Sequence, residues 1–126
     1  MLIEVLKSKI AYATVTQTEL RYVGSITIAE DLMEKTNLRA NEKVSVVNLN
    51  NGERFETYVI VGTAGSNIIA VNGPAARLAQ TGDLVFILSY ASINPDTETL
   101  EPVIMNLQSW ALFFMKRRWL NMAPTL

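Results

Sequence analysis

The stretch KVSVVNLNNGERFETYVIV, residues 43–61, decides the fold, because it reads as two strands joined by a tight turn. Residues 43–49 are strand-forming, and the return segment 54–61 becomes apolar towards its end. Between them, Asn-Asn-Gly at residues 50–52 predicts a hairpin turn, since Asn-Gly supports the positive φ angles of a type I′ turn. This stretch therefore predicts a β-hairpin.

Short strand-forming runs flank the hairpin on both sides. They cover residues 1–15, 25–28, 67–71 and 84–92. An acidic helix is predicted over residues 29–35, and Pro74 is placed to open a helix of one or two turns. Many short strands with closely spaced turns, and only small helices between them, predict a mainly β fold closed into a compact barrel.

The charge balance and the N-terminus limit the classes of partner. Eleven basic and twelve acidic residues give a formal net charge of -1, so no nucleic-acid partner is predicted. Glu4 and Lys7 interrupt the apolar stretch that a signal peptide needs, and no apolar run approaches the ~20 residues of a membrane span. A cytoplasmic protein without a membrane partner is expected.

The 126 residues contain no histidine and no cysteine. That removes the commonest general base, the commonest metal ligand and the strongest side-chain nucleophile, and it excludes disulfides. No metal site is predicted. An enzyme built from this chain needs a bound cofactor or one made from its own backbone.

A break at residues 94–96 separates a predicted barrel domain, residues 1–95, from a tail, residues 96–126. A short amphipathic helix is predicted over about 109–122, with a basic run at residues 116–118. Such a helix packs on its own barrel or on a neighbouring subunit. The alternative is a contact with a membrane surface or nucleic acid.

Several short patches occur in a fixed order along the chain. They are Lys9, Gly24-Ser25 after Tyr22, the segment from Asn51 to Tyr58, the segment from Val71 to Ala76, and Gly82-Asp83. Together, from Met1 to about Ser92, they resemble the bacterial pyruvoyl-dependent L-aspartate α-decarboxylases. Relatives often carry a histidine near position 11 and an aromatic residue near position 47, where this chain has Ala11 and Val47.

The resemblance implies a double-psi β-barrel, assembled as a homotetramer with active sites at subunit boundaries. It also implies a proenzyme that cleaves itself between Gly24 and Ser25 into chains 1–24 and 25–126. Ser25 would attack the carbonyl of Gly24 to form an ester, and elimination and hydrolysis would then leave a covalent pyruvoyl cofactor. Such a carbonyl forms a Schiff base with the substrate amine. Cleavage is either autonomous or accelerated by a maturation partner.

The resemblance also assigns roles to individual residues. Thr57 would donate to the oxyanion at Gly24, and Asn72 would support the cyclic intermediate. Arg54 and Lys9 would hold the second carboxylate of aspartate, and Tyr58 would reprotonate the α-carbon after CO2 leaves. The other substrate-binding residues implied are Thr57, Gly73, Pro74 and Ala75.

The implied function is decarboxylation of L-aspartate to β-alanine, which supplies pantothenate and coenzyme A synthesis. Taken singly, the same residues have ordinary structural roles. Arg54 would be a cross-strand partner of a glutamate, and Tyr58 would be a core aromatic with a hydrated hydroxyl. The alternative function is a non-enzymatic β-barrel that acts as a binding or assembly module through its basic, aromatic tail.

Overall fold

The computed structural model describes residues 1–108, which form eight strands, one α-helix and one 3₁₀ helix. In chain order the strands are β1 (Ile3–Thr14), β2 (Gln17–Glu19), β3 (Ser25–Ala29), β4 (Lys43–Asn48), β5 (Arg54–Gly62), β6 (Ile69–Asn72), β7 (Leu84–Ile93) and β8 (Val103–Asn106). Helix α1 (Glu30–Lys35) follows β3, and the 3₁₀ helix (Gly73–Arg77) follows β6. The predicted mainly β fold with a few short helices is confirmed.

Strand pairing closes the sheet into a barrel. The order across the sheet is β2-β6-β3-β5-β4-β7-β1-β8. Only residues 15 and 16 separate β1 from β2, so these strands form one nearly continuous segment that pairs with β7 through β1 and with β6 through β2. The ring therefore has six strand positions, with parallel pairs (β2 with β6, β3 with β5) beside antiparallel ones. This mixed six-stranded barrel agrees with the double-psi β-barrel that the resemblance implies.

Alternation along β3 determines which side chains face the core. Ile26 and Ile28 are fully buried in the hydrophobic core, together with Val59 of the neighbouring β5. Successive side chains in a strand point to opposite faces, so Ser25 and Thr27 lie on the outer face of the barrel wall. The flanking strands β5 and β6 supply the other side chains of this face.

The predicted type I′ turn is wrong. The hairpin forms, with β4 antiparallel to β5, but residues 49–53 connect the strands. Gly52 has a φ of +75°, whereas Asn50 and Asn51 are not among the positive-φ residues of the described chain. The Oδ1 atoms of Asn48 and Asn51 each accept the backbone N–H two residues further on, at 2.8 and 2.9 Å. Because these asparagine side chains satisfy the loop backbone, the chain forms a wider turn than two residues allow.

Strand β8 extends the sheet past residue 95, where the tail was predicted to begin. Val103–Asn106 lies parallel to β1, with Ser8 paired to Val103 and Ala11 to Asn106. The polar segment up to Pro102 therefore leads back to the barrel. The tail helix predicted over about 109–122 lies outside the described residues.

Among residues 1–108, no helix has the length and apolar character that crossing a membrane requires.

Candidate active site

The Gly24-Ser25 step has a strained backbone. Gly24 has a φ of +140° and Ser25 a φ of +117°. A residue with a side chain is disfavoured in this region, and holding it there costs on the order of 1–3 kcal/mol. Ser25 is fully buried and begins β3, where it is the register partner of Asn72 in β6. The pairing of β3 with β6 therefore holds the predicted cleavage site in a conformation that the free chain would avoid.

The side-chain amide of Asn72 contacts the hydroxyl of Ser25. Its Nδ2 donates one hydrogen bond to Ser25 Oγ and another to Thr27 Oγ1, each at 3.0 Å. Asn72 is only 5% exposed, so water has little access to these bonds. A donor to Oγ stabilises negative charge on that atom and so favours the deprotonated nucleophile. The structure thus brings together Ser25, the predicted nucleophile, and Asn72, which is predicted to support the cyclic intermediate.

Thr27 belongs to the same group of side chains, and the sequence analysis did not identify it. A threonine in a strand is ordinary, so the residue type gave no signal. The signal lay in the spacing, because Thr27 follows Ser25 by two residues and shares its face of β3. In the register of β3 with β6, Thr27 is also the diagonal neighbour of Asn72.

The carbonyl of Gly24 faces the hydroxyl of Tyr58. The distance from Tyr58 Oη to Gly24 O is 3.5 Å, which is long for an O–H···O hydrogen bond. Tyr58 precedes Val59, the register partner of Ile26, so the parallel pairing of β3 with β5 sets this approach. Thr57 is half-buried, and its side chain makes no hydrogen bond to Gly24 within residues 1–108. Its assignment as the oxyanion donor stays a prediction.

Gly73 packs directly against the cleavage site. Its φ is +73°, and a Cβ added there would lie 2.7 Å from Gly24 Cα, 2.8 Å from Gly24 N and 2.9 Å from Tyr22 O. Only glycine allows so close an approach of two backbones. Gly73 begins the 3₁₀ helix, and Pro74 and Ala75 follow it there. The helix predicted to open at Pro74 therefore forms, and it starts one residue earlier. We refer below to Gly24, Ser25, Tyr58, Asn72 and Gly73 as the cleavage cluster.

Within residues 1–108, neither predicted substrate cation has a hydrogen bond to this cluster. Arg54 is exposed at the start of β5, five residues before Val59, which places its backbone roughly 17 Å along the strand from the level of Ile26. Lys9 lies on β1, with its Nζ 4.9 Å from the ring centroid of Phe86. In one chain, Arg54 therefore lies well along β5 from the level of the cleavage cluster, and Lys9 contacts Phe86, which is not a member of that cluster.

A cavity of about 550 Å³ lies beside Arg54 and includes no residue of the cleavage cluster. Lys43 and Glu56 also line it and form a salt bridge of 2.9 Å, and the hydrogen bond to Glu56 raises the pKa of Lys43.

The two positions at which this chain differs from the resembled family lie in the barrel wall. Val47 is the register partner of Arg54 on β5 and of Phe86 on β7, and Ala11 is buried in β1. Within residues 1–108, no group of three or more acidic side chains is arranged to hold a metal ion.

Comparison with known proteins identifies the family. The model of the aspartate decarboxylase family matches residues 1–110, so the match extends beyond the residues that carry the resemblance in the sequence. Aspartate 1-decarboxylase of Coxiella burnetii is 64% identical over 108 residues, which cover 86% of this chain and 97% of that protein. The enzyme of the same name from Francisella tularensis subsp. holarctica (strain OSU18) is 58% identical over 109 residues, covering 86% of this chain and 98% of its own length.

A third relative and one solved structure complete the comparison. Aspartate 1-decarboxylase of Caldicellulosiruptor saccharolyticus is 67% identical over 90 residues, covering 71% of this chain and 70% of that protein. The crystal structure of the computationally designed msDPBB_sym2 protein is similar with a TM-score of 0.43 and 19% identity, over 69% of this chain and 99% of the designed one. With a family match over most of its length and relatives of high identity that it covers almost completely, this chain belongs to the aspartate decarboxylase family.

Proposed function

We propose that this chain is a self-processing enzyme that decarboxylates L-aspartate to β-alanine and CO2, and that its product supplies pantothenate and coenzyme A synthesis. The observation that carries the proposal is the state of Ser25. Ser25 is fully buried, has a φ of +117°, follows a glycine and accepts a hydrogen bond from Asn72. It has these properties in a chain that belongs to the aspartate decarboxylase family.

Self-processing begins with the chain's own atoms. Ser25 Oγ bonds to the carbonyl carbon of Gly24, and the Gly24–Ser25 C–N bond breaks as the hydroxyl proton passes to the amine, which leaves an ester. Relief of the strained backbone favours this step. A donor to the oxyanion at Gly24 is also needed, and such a donor is typically worth about 3 kcal/mol. We assign that role to Thr57 as the family resemblance implies, although Tyr58 has the hydroxyl closest to the carbonyl among the described contacts.

The cleavage cluster fits a cofactor derived from Ser25. The position is buried, the preceding residue is a glycine, and an amide donor already lies within hydrogen-bond distance. When formed, the pyruvoyl group supplies the electron sink that amino-acid decarboxylation needs. The hydroxyl of Tyr58 lies 3.5 Å from Gly24 O, next to the predicted cleavage site, so we assign it the delivery of a proton to the α-carbon once CO2 has left.

The separation of the cations from Ser25 supports an active site shared between subunits. Arg54 offers a planar fork that matches a carboxylate, and Lys9 offers a second positive charge. Because Arg54 lies well along β5 from the cleavage cluster and Lys9 contacts Phe86 instead, we infer that both cations approach the cluster of a neighbouring copy in a homotetramer. We further propose that the enzyme works in the cytoplasm and that a maturation partner acts where cleavage alone is slow.

The proposal is tested by the intact mass of the denatured protein, fresh and after prolonged warm incubation, followed by an aspartate assay. Two pieces, residues 1–24 and 25–126, are expected, the larger with the mass of a pyruvoyl start, together with aspartate-dependent release of CO2. A chain that is cleaved but releases no CO2 from aspartate would contradict the substrate. A chain that stays whole, alone and with cell extract from the source organism, would contradict self-processing.

Replacement of Arg54 is expected to weaken turnover of aspartate and to spare processing. Arg54→Ala removes hydrogen bonds to a charged carboxylate, and kcat/KM for aspartate should fall about 10- to 100-fold. The measurement is steady-state kinetics normalised to the processed chain, with Arg39→Ala as a control for the loss of one exposed positive charge. If both variants keep the wild-type kcat/KM, Arg54 is not part of the substrate site.

Tyr58 and Thr57 are expected to act at different stages. Tyr58→Phe removes the proposed acid, so kcat per processed chain should fall by about 10²- to 10⁴-fold. Thr57→Val removes the proposed oxyanion donor, so cleavage should slow by about 10²- to 10³-fold. Cleavage rates from intact mass and kcat values from the processed fraction separate these effects. Slow cleavage of Tyr58→Phe beside normal cleavage of Thr57→Val would transfer the oxyanion role to Tyr58.

A further inference from the structure

The Thr27 hydroxyl holds the second hydrogen of the Asn72 amide. Asn72 Nδ2 has two hydrogens, and the structure directs one to Ser25 Oγ and the other to Thr27 Oγ1, each at 3.0 Å. The torsion that rotates a side-chain amide is broad, so a single hydrogen bond leaves the plane of the amide poorly fixed. Two acceptors on the same face of β3, two residues apart, fix both the plane and the direction of the amide.

The rotamer of Thr27 is itself fixed by packing against Gly62. A Cβ added at Gly62 would lie 2.9 Å from Thr27 Cγ2 and 2.5 Å from Ile68 Cγ2. The glycine therefore leaves room for the threonine methyl group. A β-branched side chain has restricted χ1 freedom, so seating the methyl group beside Gly62 directs the hydroxyl towards Asn72. A serine could make the same hydrogen bond, but only the threonine methyl adds this packing constraint.

We propose that Thr27 is a positioning residue for self-processing, which acts through Asn72 on the nucleophile Ser25. This inference rests on the proposed function. The Thr27 hydroxyl keeps the Asn72 amide in the plane in which its other N–H points at Ser25 Oγ. That N–H stabilises the negative charge on Oγ as the hydroxyl loses its proton, before Oγ bonds to the carbonyl carbon of Gly24.

Loss of the hydroxyl leaves an N–H of a nearly buried amide without its acceptor. Asn72 is 5% exposed, so the orphaned N–H cannot simply turn to bulk water. The amide rotates to find another partner, and its alignment on Ser25 Oγ is lost. Thr27→Val keeps the shape and the methyl packing, and it is expected to slow cleavage about tenfold, the effect of one lost hydrogen bond.

The test follows cleavage over time by intact mass for the wild type, Thr27→Val and Thr27→Ser, each purified rapidly in the cold. Thr27→Ser keeps the hydroxyl and should restore most of the wild-type rate. Thr36→Val is the matched control, because Thr36 is fully buried and donates a hydrogen bond of 2.6 Å to Leu32 O at the end of α1. It should lower the melting temperature without changing the cleavage rate.

The outcomes are distinct. Slow cleavage of Thr27→Val, with near-normal cleavage of Thr27→Ser and Thr36→Val, supports the role of the hydroxyl. Wild-type cleavage of Thr27→Val overturns it, as does equal slowing in Thr27→Ser, which would assign the effect to the methyl group. If Thr27→Val does not fold, Thr27→Ala must show the same slow cleavage. A wild-type chain that never cleaves shows instead that the proposed function has failed, and the inference falls with it.

Discussion

Ser25→Ala is expected to leave a single uncleaved chain with no decarboxylase activity. In the proposed mechanism the hydroxyl of Ser25 attacks the carbonyl of Gly24, its oxygen leaves in the new carboxylate of residues 1–24, and the carbon atoms of Ser25 become the pyruvoyl group. No cysteine or histidine exists elsewhere in the 126 residues to replace it. The effect should therefore be a complete loss of cleavage and turnover, measured by intact mass after prolonged warming and by CO2 release from aspartate.

A matched control separates this loss from a general effect of removing a buried serine. Ser89 is 1% exposed, and its hydroxyl shares a hydrogen bond of 2.6 Å with Ser8 on the pair of β1 with β7. Ser89→Ala should reduce thermal stability and still yield both pieces, residues 1–24 and 25–126. Cleavage that persists in Ser25→Ala would exclude Ser25 as the nucleophile. Failure of Ser89→Ala to cleave would show that processing responds to any disturbance of the barrel.

Much of the fold follows from local patterns in the sequence. The alternation of residues 25–28 puts Ile26 and Ile28 into the core, and the start of the 3₁₀ helix follows from the fixed φ of Pro74. The type of the hairpin turn did not follow, because the side chains of Asn48 and Asn51 satisfy backbone groups in a way that the Asn-Gly pattern does not encode. Strand β8 was missed because a four-residue strand gains its stability from pairing with β1.

In the candidate site, too, some features could be predicted from the sequence and others could not. Asn72 and Gly73 are only a turn in the sequence, and their chemistry depends on the register that sets Asn72 against Ser25. The only sequence signal for Thr27 is its spacing of two residues from Ser25, since its importance comes from one hydrogen bond and the space beside Gly62. The separation of Arg54 from Ser25 could not be predicted from the sequence either, because the pairing of the strands decides which residues of β5 lie level with β3. The family resemblance named Ser25, Arg54, Asn72 and Gly73, but it did not name Thr27 and did not give the arrangement of these residues.

Gly73→Ala is expected to slow self-processing about 100-fold while the barrel still folds. The new methyl group would lie 2.7 Å from Gly24 Cα and 2.8 Å from Gly24 N, so the backbone before the cleaved bond must shift. A displacement of about 1 Å at reacting atoms can cost about 10²-fold in rate. The positive φ of +73° adds a separate penalty to folding, which for an L-residue is roughly 1–2 kcal/mol.

Gly65→Ala distinguishes the collision from the backbone penalty. Gly65 has a nearly identical φ of +77°, but an added Cβ there has no atom within 4 Å. Gly65→Ala should therefore lose only the backbone penalty in free energy of unfolding, and Gly73→Ala should lose that amount plus the cost of the clash with Gly24. Both losses are measured by denaturant titration in a Ser25→Ala background so that cleavage does not interfere. Only Gly73→Ala should cleave slowly when Ser25 is present. Equal cleavage rates in the two variants would mean that the close approach of Gly73 to Gly24 does not position the cleaved bond. The strained geometry of residues 24 and 25 would then depend on the pairing of β3 with β6 alone.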